Sequence, residues 1–299
     1  MKQRGIALIQ VLLLSTILAI ALLSMQHQAR QHIKLASAVK QYTIANMQLH
    51  SAEAEILFTL LSQQPFQLTN NNNNSVKWNF HGQPFTFNNV QINIQDTSGL
   101  LSASNPKASI LKALTEQQVG SATLGQQIAA ALADWQDKDD ITRLDGAEQA
   151  DYADIQVRNA PLQYIEEWLF VKGVDNALFS EIRPLLTLFP QGVNVNQQPE
   201  ELWRLYMPDT KVKELSRARD NGQLTAELFE IISGIVIDEF TTFGTGPGYR
   251  ISFTVTNNDV KLSRQLTLRV MPFNSQPFDI YEYRMRNLPA DTLNAVPIN

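Results

Sequence analysis

The chain has 299 residues, of which 44% are hydrophobic and 18% charged, and its net charge at pH 7 is −5. That length buries one sizeable core or two modest ones, and that composition excludes a disordered chain. The acidic balance argues against nonspecific nucleic-acid binding, and the lack of cysteine excludes disulfides, thiolate metal sites and cysteine nucleophiles.

Met1 to Gly5 is a short leader carrying Lys2 and Arg4. From Ile6 to Gln26 there is no charged residue and no proline, and Arg30 is the next formal charge. An apolar stretch of about twenty residues matches the hydrocarbon thickness of a bilayer and predicts a single membrane-spanning helix. Lys2 and Arg4 favour the cytoplasmic side, which puts the bulk of the chain beyond it. Mean hydropathy is −0.18 despite this segment, so the remainder reads as a water-soluble head. A secretory signal peptide needs a small-residue cleavage site after the apolar run, whereas here Gly5 precedes it.

That arrangement resembles the class III leader of the type IV pilin superfamily. The resemblance implies cleavage by prepilin peptidase between Gly5 and Ile6, after which the apolar helix stays as anchor and assembly helix, its new terminus free or N-methylated. Pilins usually carry Glu at the fifth mature position, where its carboxylate meets the terminal ammonium of a neighbouring subunit. Here that position is Gln10. An amide hydrogen-bonds but cannot neutralise an ammonium in a low-dielectric core. A subunit at a fibre tip, with nothing above it to dock under, needs no such carboxylate.

Helix is predicted to continue from His27 to about Ser62, a stretch without Pro or Gly. Leu35, Val39, Tyr42, Leu49, Ile56, Leu60 and Leu61 recur at roughly helical spacing, as in an amphipathic stem laid on a head. Pro65 and the Asn70–Asn74 tract end it, the tract as a loop. Strands are expected at Val76–Phe80, Phe85–Phe87 and Val90–Gln95, the region forming a hairpin. Residues from about 100 to 240 read as short helices with brief Gly, Pro, Asn and Asp breaks. Strand pattern returns at Tyr249, Ile251, Phe253 and Val255, turns at Asn257–Asp259, and resumes at Leu266, Leu268 and Val270. Phe278–Met285 reads as a third strand. The expected fold is α+β: a long helix packed on an antiparallel sheet, with a large all-helical domain inserted between sheet segments. The boundaries are 1–5 leader, 6–28 membrane helix, 29–98 stem and first strands, 99–240 insertion, and 241–299 closing strands.

An acidic segment holds Asp134, Asp137, Asp139, Asp140, Asp145, Glu148, Asp151 and Asp154 within twenty-one residues. Hard oxygen ligands at this density suit calcium, which accepts six to eight of them in loose geometry. The spacing is not that of an EF-hand, and a solvated acidic loop with helix caps is the reading the segment itself favours. Leu169–Leu186, around Lys172-Gly173-Val174, resembles a helix-hairpin-helix or SAM-like module. Such hairpins often bind DNA backbone, but Glu166, Glu167, Asp175 and Glu181 surround this one, so apolar packing is its expected role. Three of the four histidines lie on the stem and His81 lies in a turn, so no triad or zinc site is apparent. Gly244–Gly248 lacks the Lys-Ser/Thr of a phosphate cradle. Catalysis therefore has little support in the sequence.

In order, the chain shows Lys2-Gln3-Arg4-Gly5, Gln10, Asp134-Trp135-x-Asp137-x-Asp139, Gly146-Ala147-Glu148, Tyr152, Asn159-x-Pro161-Leu162, Glu166-Glu167, Val171-x-Gly173-Val174 and Val193-Asn194-Val195-Asn196. This ordered set resembles the general secretion pathway protein K (GspK) family, the large minor pseudopilins of type II secretion. The resemblance covers nearly the whole length. It implies a single-pass bacterial inner-membrane protein with a periplasmic pilin-like head and an inserted α-domain. It also implies a place at the pseudopilus tip with minor pseudopilins I and J, other pseudopilins and prepilin peptidase as further partners, and no nucleic acid. Such a subunit would cap the fibre or initiate it. Calcium, one or two ions, falls on Asp137, Asp139 and Glu148, with Asp151 in place of the Asp that family members often carry where this chain has Gln149. The competing readings are a minor pilin of a type IV pilus and a membrane-anchored periplasmic enzyme.

Overall fold

The computed structural model describes residues 4–70, 78–190, 192–239, 241–257 and 260–289. Helix α1 runs unbroken over Arg4–Ser62, as expected for a stretch with neither Gly nor Pro after Ile6 to interrupt the backbone ladder. Among the described residues it is the one helix long and apolar enough to cross a membrane. Its upper half buries Ala45, Leu49, Ala52, Ile56 and Leu60, a stripe spaced four, three, four and four residues apart. Leu35, Val39 and Tyr42, expected on the packed face, are exposed. The sheet does not reach them: its lower rim is at Asn257, whose Nδ2 donates to Gln48 Oε1 at 2.8 Å. Pro65 does not only end the stem. It opens a second short helix, α2 (Pro65–Asn70), where a missing N–H costs nothing.

Asn71–Asn74, Val76 and Lys77 lie outside the described residues. Trp78–Phe80 is not a strand. Trp78 and Phe80 are buried in the core, and the ladder here is a single bridge from His81 to Gln95. Strands β1 (Phe85–Phe87) and β2 (Val90–Asp96) form the expected hairpin. Asn88 and Asn89 turn it at positive φ, 48° and 62°, which a two-residue hairpin requires and asparagine tolerates.

The chain then leaves the sheet. It forms β3 (Leu101–Ser102), α3 (Ala108–Val119), α4 (Ala122–Gln136), α5 (Asn176–Ile182), β4 (Leu186–Thr187) and β5 (Val193–Asn194). It continues through α6 (Glu200–Arg204), α7 (Asp209–Asp220), α8 (Ala226–Ser233) and β6 (Thr241–Thr242). It returns as β7 (Gly248–Asn257), β8 (Val260–Val270) and β9 (Phe278–Pro289). The main sheet is antiparallel in the order β1-β2-β7-β8-β9. β2 and β7 are direct neighbours, with Ile94 opposite Ile251 and Asp96 opposite Tyr249. Everything between them is therefore an excursion from one ladder.

The front face of the sheet, Ile92, Ile94, Ile251, Phe253, Leu266 and Leu268, packs on α1 as one core. The excursion has two cores of its own. One gathers α3, α4 and α5 around Trp135 and Trp168; the other gathers α6 to α8 around Trp203 and Phe229. Close approach of α3 and α4 depends on Gly125, where a Cβ would meet the Leu111 carbonyl carbon at 2.5 Å. The excursion is not helical throughout. β3 pairs with β4 and β5 with β6, each pair parallel and two residues long, and Ile165–Phe170 is 3-10 rather than α-helical.

Candidate metal centre

Ser121 caps α4, its Oγ accepting from Leu124 N–H at 3.3 Å. The helix buries Ile128, Ala131, Leu132 and Trp135, and this register carries Asp134 inward to full burial. Asp134 organises the loop that follows. Its Oδ2 accepts from the backbone N–H groups of Arg143 at 3.1 Å and Ala147 at 2.9 Å. Asp145 turns the chain at φ 65°. Gly146 passes so close that a Cβ there would lie 2.0 Å from Asp134 Oδ2. The loop thereby returns Glu148 to the end of α4.

The result is a group of three carboxylates. Asp134, Asp137 and Glu148 each offer an oxygen within 4.8 Å of the others. Arg143 Nη1 donates to Asp134 Oδ1 at 2.6 Å and also to Asp137 Oδ2, and these contacts hold its guanidinium firmly protonated. Three carboxylates and one guanidinium leave two negative charges. Glu148 is 2% exposed, and neither of its oxygens has a hydrogen-bond partner; Asp137 Oδ1 also has none. Burial raises the Glu148 pKa, and the charges of Asp134, Asp137, Asp140 and Asp139 raise it further. Buried, unpartnered oxygens with two uncompensated charges fit a hard divalent cation.

Of the residues singled out in the sequence, Asp137 and Glu148 come together here. Asp139 and Asp151 do not join them. Asp139 is exposed and its Oδ1 accepts from Ile141 N–H at 3.0 Å. Asp151 Oδ1 is paired with Lys172 Nζ at 2.7 Å, which lowers its pKa, while its Oδ2 accepts from Glu148 N–H at 3.2 Å. Sequence reasoning placed Asp134 in the acidic segment but not among the candidate ligands. Its three-residue spacing from Asp137 on a helix end was the available signal. Nothing in the sequence marked Arg143. Gly5 and Ile6 lie in the first turn of α1, their side chains outside the described set, and Gln10 is exposed.

The hairpin behind the loop is a packing element. Gly173 turns it at φ 92°, and Asp175 caps α5 through Leu178 N–H at 2.8 Å. Trp135 stacks on Phe170 with ring centres 6.3 Å apart, and Tyr152 Oη accepts from Lys172 N–H at 3.1 Å. Its two basic residues are engaged with carboxylates, Lys172 with Asp151 and Arg183 with Glu166.

The family model for type II secretion system (T2SS), protein K matches residues 85–191, a span that includes the carboxylate cluster. Type II secretion system protein K of Klebsiella pneumoniae is 29% identical over 226 residues, 67% of this chain and 68% of its own. A chain of the crystal structure of the GspK-GspI-GspJ complex from the enterotoxigenic Escherichia coli type 2 secretion system shares the fold. It has a TM-score of 0.52 and 16% identity, over 84% of this chain and 99% of that one. With the stem, the split sheet and the cluster-bearing insertion all in place, the chain is similar to type II secretion system protein K over residues 85–191 and in its fold.

Proposed function

We propose that this protein is a structural, non-enzymatic subunit at the tip of the type II secretion pseudopilus, where it caps or initiates the fibre in complex with minor pseudopilins I and J. One observation carries this reading. The insertion leaves the sheet between β2 and β7, at the end of the sheet away from the Asn257–Gln48 contact and hence from the apolar half of α1. The inserted bulk is therefore rooted at the end of the sheet far from the membrane, as suits a subunit at the top of a stack and not in its middle. The exposed side chain of Gln10 agrees with a subunit that offers no carboxylate to a neighbour's terminus. In this reading prepilin peptidase cuts after Gly5 and the new Ile6 terminus is methylated. The apolar helix first meets lipid and later the helices of partner subunits, with the head in the periplasm.

The cluster of Asp134, Asp137 and Glu148 holds calcium in the same reading. A bound divalent cation supplies charge neutralisation there, and the loop from Asp137 to Glu148 becomes rigid with it. The test of the assembly is co-purification: the full chain, co-expressed with pseudopilins I and J of its own system, is expected to come out of membranes as a three-protein complex. Purification of the chain alone from cells that secrete normally would overturn it. N-terminal mass analysis of the native protein checks processing, and an intact Met1 in functional protein refutes it.

A further inference from the structure

The insertion folds back over the rear face of the sheet and encloses a cleft of about 850 Å3. The floor is the polar side of the ladder, where Gln91 stands opposite Thr254 and Asn93 opposite Ser252. The facing wall includes Glu200 of α6 and Arg219 of α7. Arg219 is 8% exposed, and its guanidinium carbon lies 4.4 Å from the centre of the Trp203 ring. Its Nη1 donates to Gln198 O at 2.7 Å, while Nε and Nη2 have no hydrogen-bond acceptor and are closed to solvent, so a ligand in the cleft reaches them by displacing the groups that cover them. These two nitrogens form the side-on fork of a guanidinium, which matches the two oxygens of a carboxylate. Arg183 uses the same edge on a carboxylate in this molecule, Nε and Nη2 both donating to Glu166 Oε1 at 3.2 and 2.9 Å.

The neighbouring acid does not fill the fork. Glu200 Oε1 lies 3.8 Å from Arg219 Nη2. It accepts instead from Ser216 Oγ at 2.6 Å, and Oε2 accepts from Arg204 Nη2 at 2.6 Å. Burial lowers the Arg219 pKa to about 10, against the opposing pull of Asp220, Glu200 and Glu201. A buried cation with two donors unmet is costly, and an arriving carboxylate relieves that cost.

We propose that this cleft binds an extended acidic peptide, one carboxylate of which seats on Nε and Nη2 of Arg219 while Gln91, Asn93 and Thr254 hydrogen-bond its backbone. The volume lies in the range of ligand sites, and a floor of amides and hydroxyls recognises peptide groups, not apolar surfaces. Glu200 stays with Ser216 and Arg204.

The experiment is fluorescence anisotropy on the full chain in detergent, with a fluorescein-labelled peptide of alternating alanine and glutamate and its glutamine counterpart. The acidic peptide is expected to bind about ten-fold tighter or more. Arg219→Lys, which keeps the charge and loses the fork, is expected to weaken it by about ten-fold, and Gln91→Ala by about two-fold with unchanged melting. Equal affinity for both peptides, or no binding at about 1 mM, overturns the proposal. If Arg219→Lys does not fold, the double variant Gln91→Ala with Thr254→Ala decides: full affinity there overturns it. Inorganic phosphate that displaces the peptide at equal concentration refutes the peptide assignment.

Discussion

The carboxylate of Asp96 and the backbone of Gly246, 150 residues apart in sequence, are joined by a 2.6 Å hydrogen bond at the neck of the insertion. Asp96 is fully buried, and its other oxygen accepts from both Ser98 N–H at 2.8 Å and Ser98 Oγ at 2.6 Å. Burial raises its pKa while these donors pull the other way. One side chain thus fastens the outgoing strand end to the returning one. Asp96→Asn turns an amide donor or a weaker acceptor toward these groups. It is expected to cost about 1–3 kcal/mol in urea denaturation, and Asp96→Ala more, because buried donors then lack acceptors.

Gly146→Ala is expected to break the carboxylate loop. The added Cβ would sit 2.0 Å from Asp134 Oδ2, so either the loop or Asp134 must move. A loss of about 1–3 kcal/mol follows, together with loss of any calcium-induced rise in melting temperature. Thermal melts with calcium and with chelator check both parts, and a variant that keeps the full calcium response refutes the assigned loop geometry.

Glu148 gives a prediction with a definite sign in pH. Its folded pKa is raised, first by burial. In chelator its contribution to stability is therefore complete below the unfolded value of about 4.5 and is lost as pH rises through the folded value. Glu148→Gln removes that penalty. The variant is expected to gain on the parent between pH 4 and pH 7 in chelator, and to fall behind it in saturating calcium, where a ligand of the folded state stabilises only the parent. Parallel melting curves across this pH range, with and without calcium, would refute the cluster's role.

Arg143 competes with any cation for Asp134 and Asp137. Its side chain is 47% exposed, so screening limits the pair to about 1 kcal/mol or less. Arg143→Gln is expected to tighten calcium binding by about two- to five-fold while lowering the melting temperature in chelator. Isothermal titration measures the first effect and a thermal melt the second.

The insertion is latched to the far edge of the sheet by Glu166, which accepts from Arg284 Nη1 at 2.6 Å and Nη2 at 3.0 Å as well as from Arg183. The Arg284 hydrogen bonds are the main reason its pKa falls to about 2. The latch is present above the unfolded pKa near 4.5 and lost as pH falls through about 2. The Glu166 side chain is 38% exposed, so Glu166→Gln is expected to cost only about 1 kcal/mol at pH 7, less in high salt and only a small part of that at pH 2. Denaturation at the three conditions tests this.

The stem, the Phe85–Gln95 hairpin and the three closing strands were legible because each rests on local periodicity or on a turn that asparagine makes. Trp78 and Phe80 misled because their aromatic, alternating pattern also suits side chains dropped into a core from an irregular segment. The two-residue pairs of β3 with β4 and β5 with β6 carried no pattern at all; they are set by where distant segments meet. At the carboxylate cluster, Asp137 and Glu148 stood out by type and density. Asp134 was separable from its acidic neighbours only once the register of α4 turned it inward, and Arg143 only once the loop folded back.

The strand partners Ile94 and Ile251 have a consequence for how the polypeptide acquires its shape. Their ladder cannot zip until a segment of about 150 residues has contracted, and distant pairings of this kind form late because the entropy of closing the loop must be met first. The excursion, with its own hydrophobic centres, therefore condenses ahead of the sheet that carries it, and the stem finds its platform last.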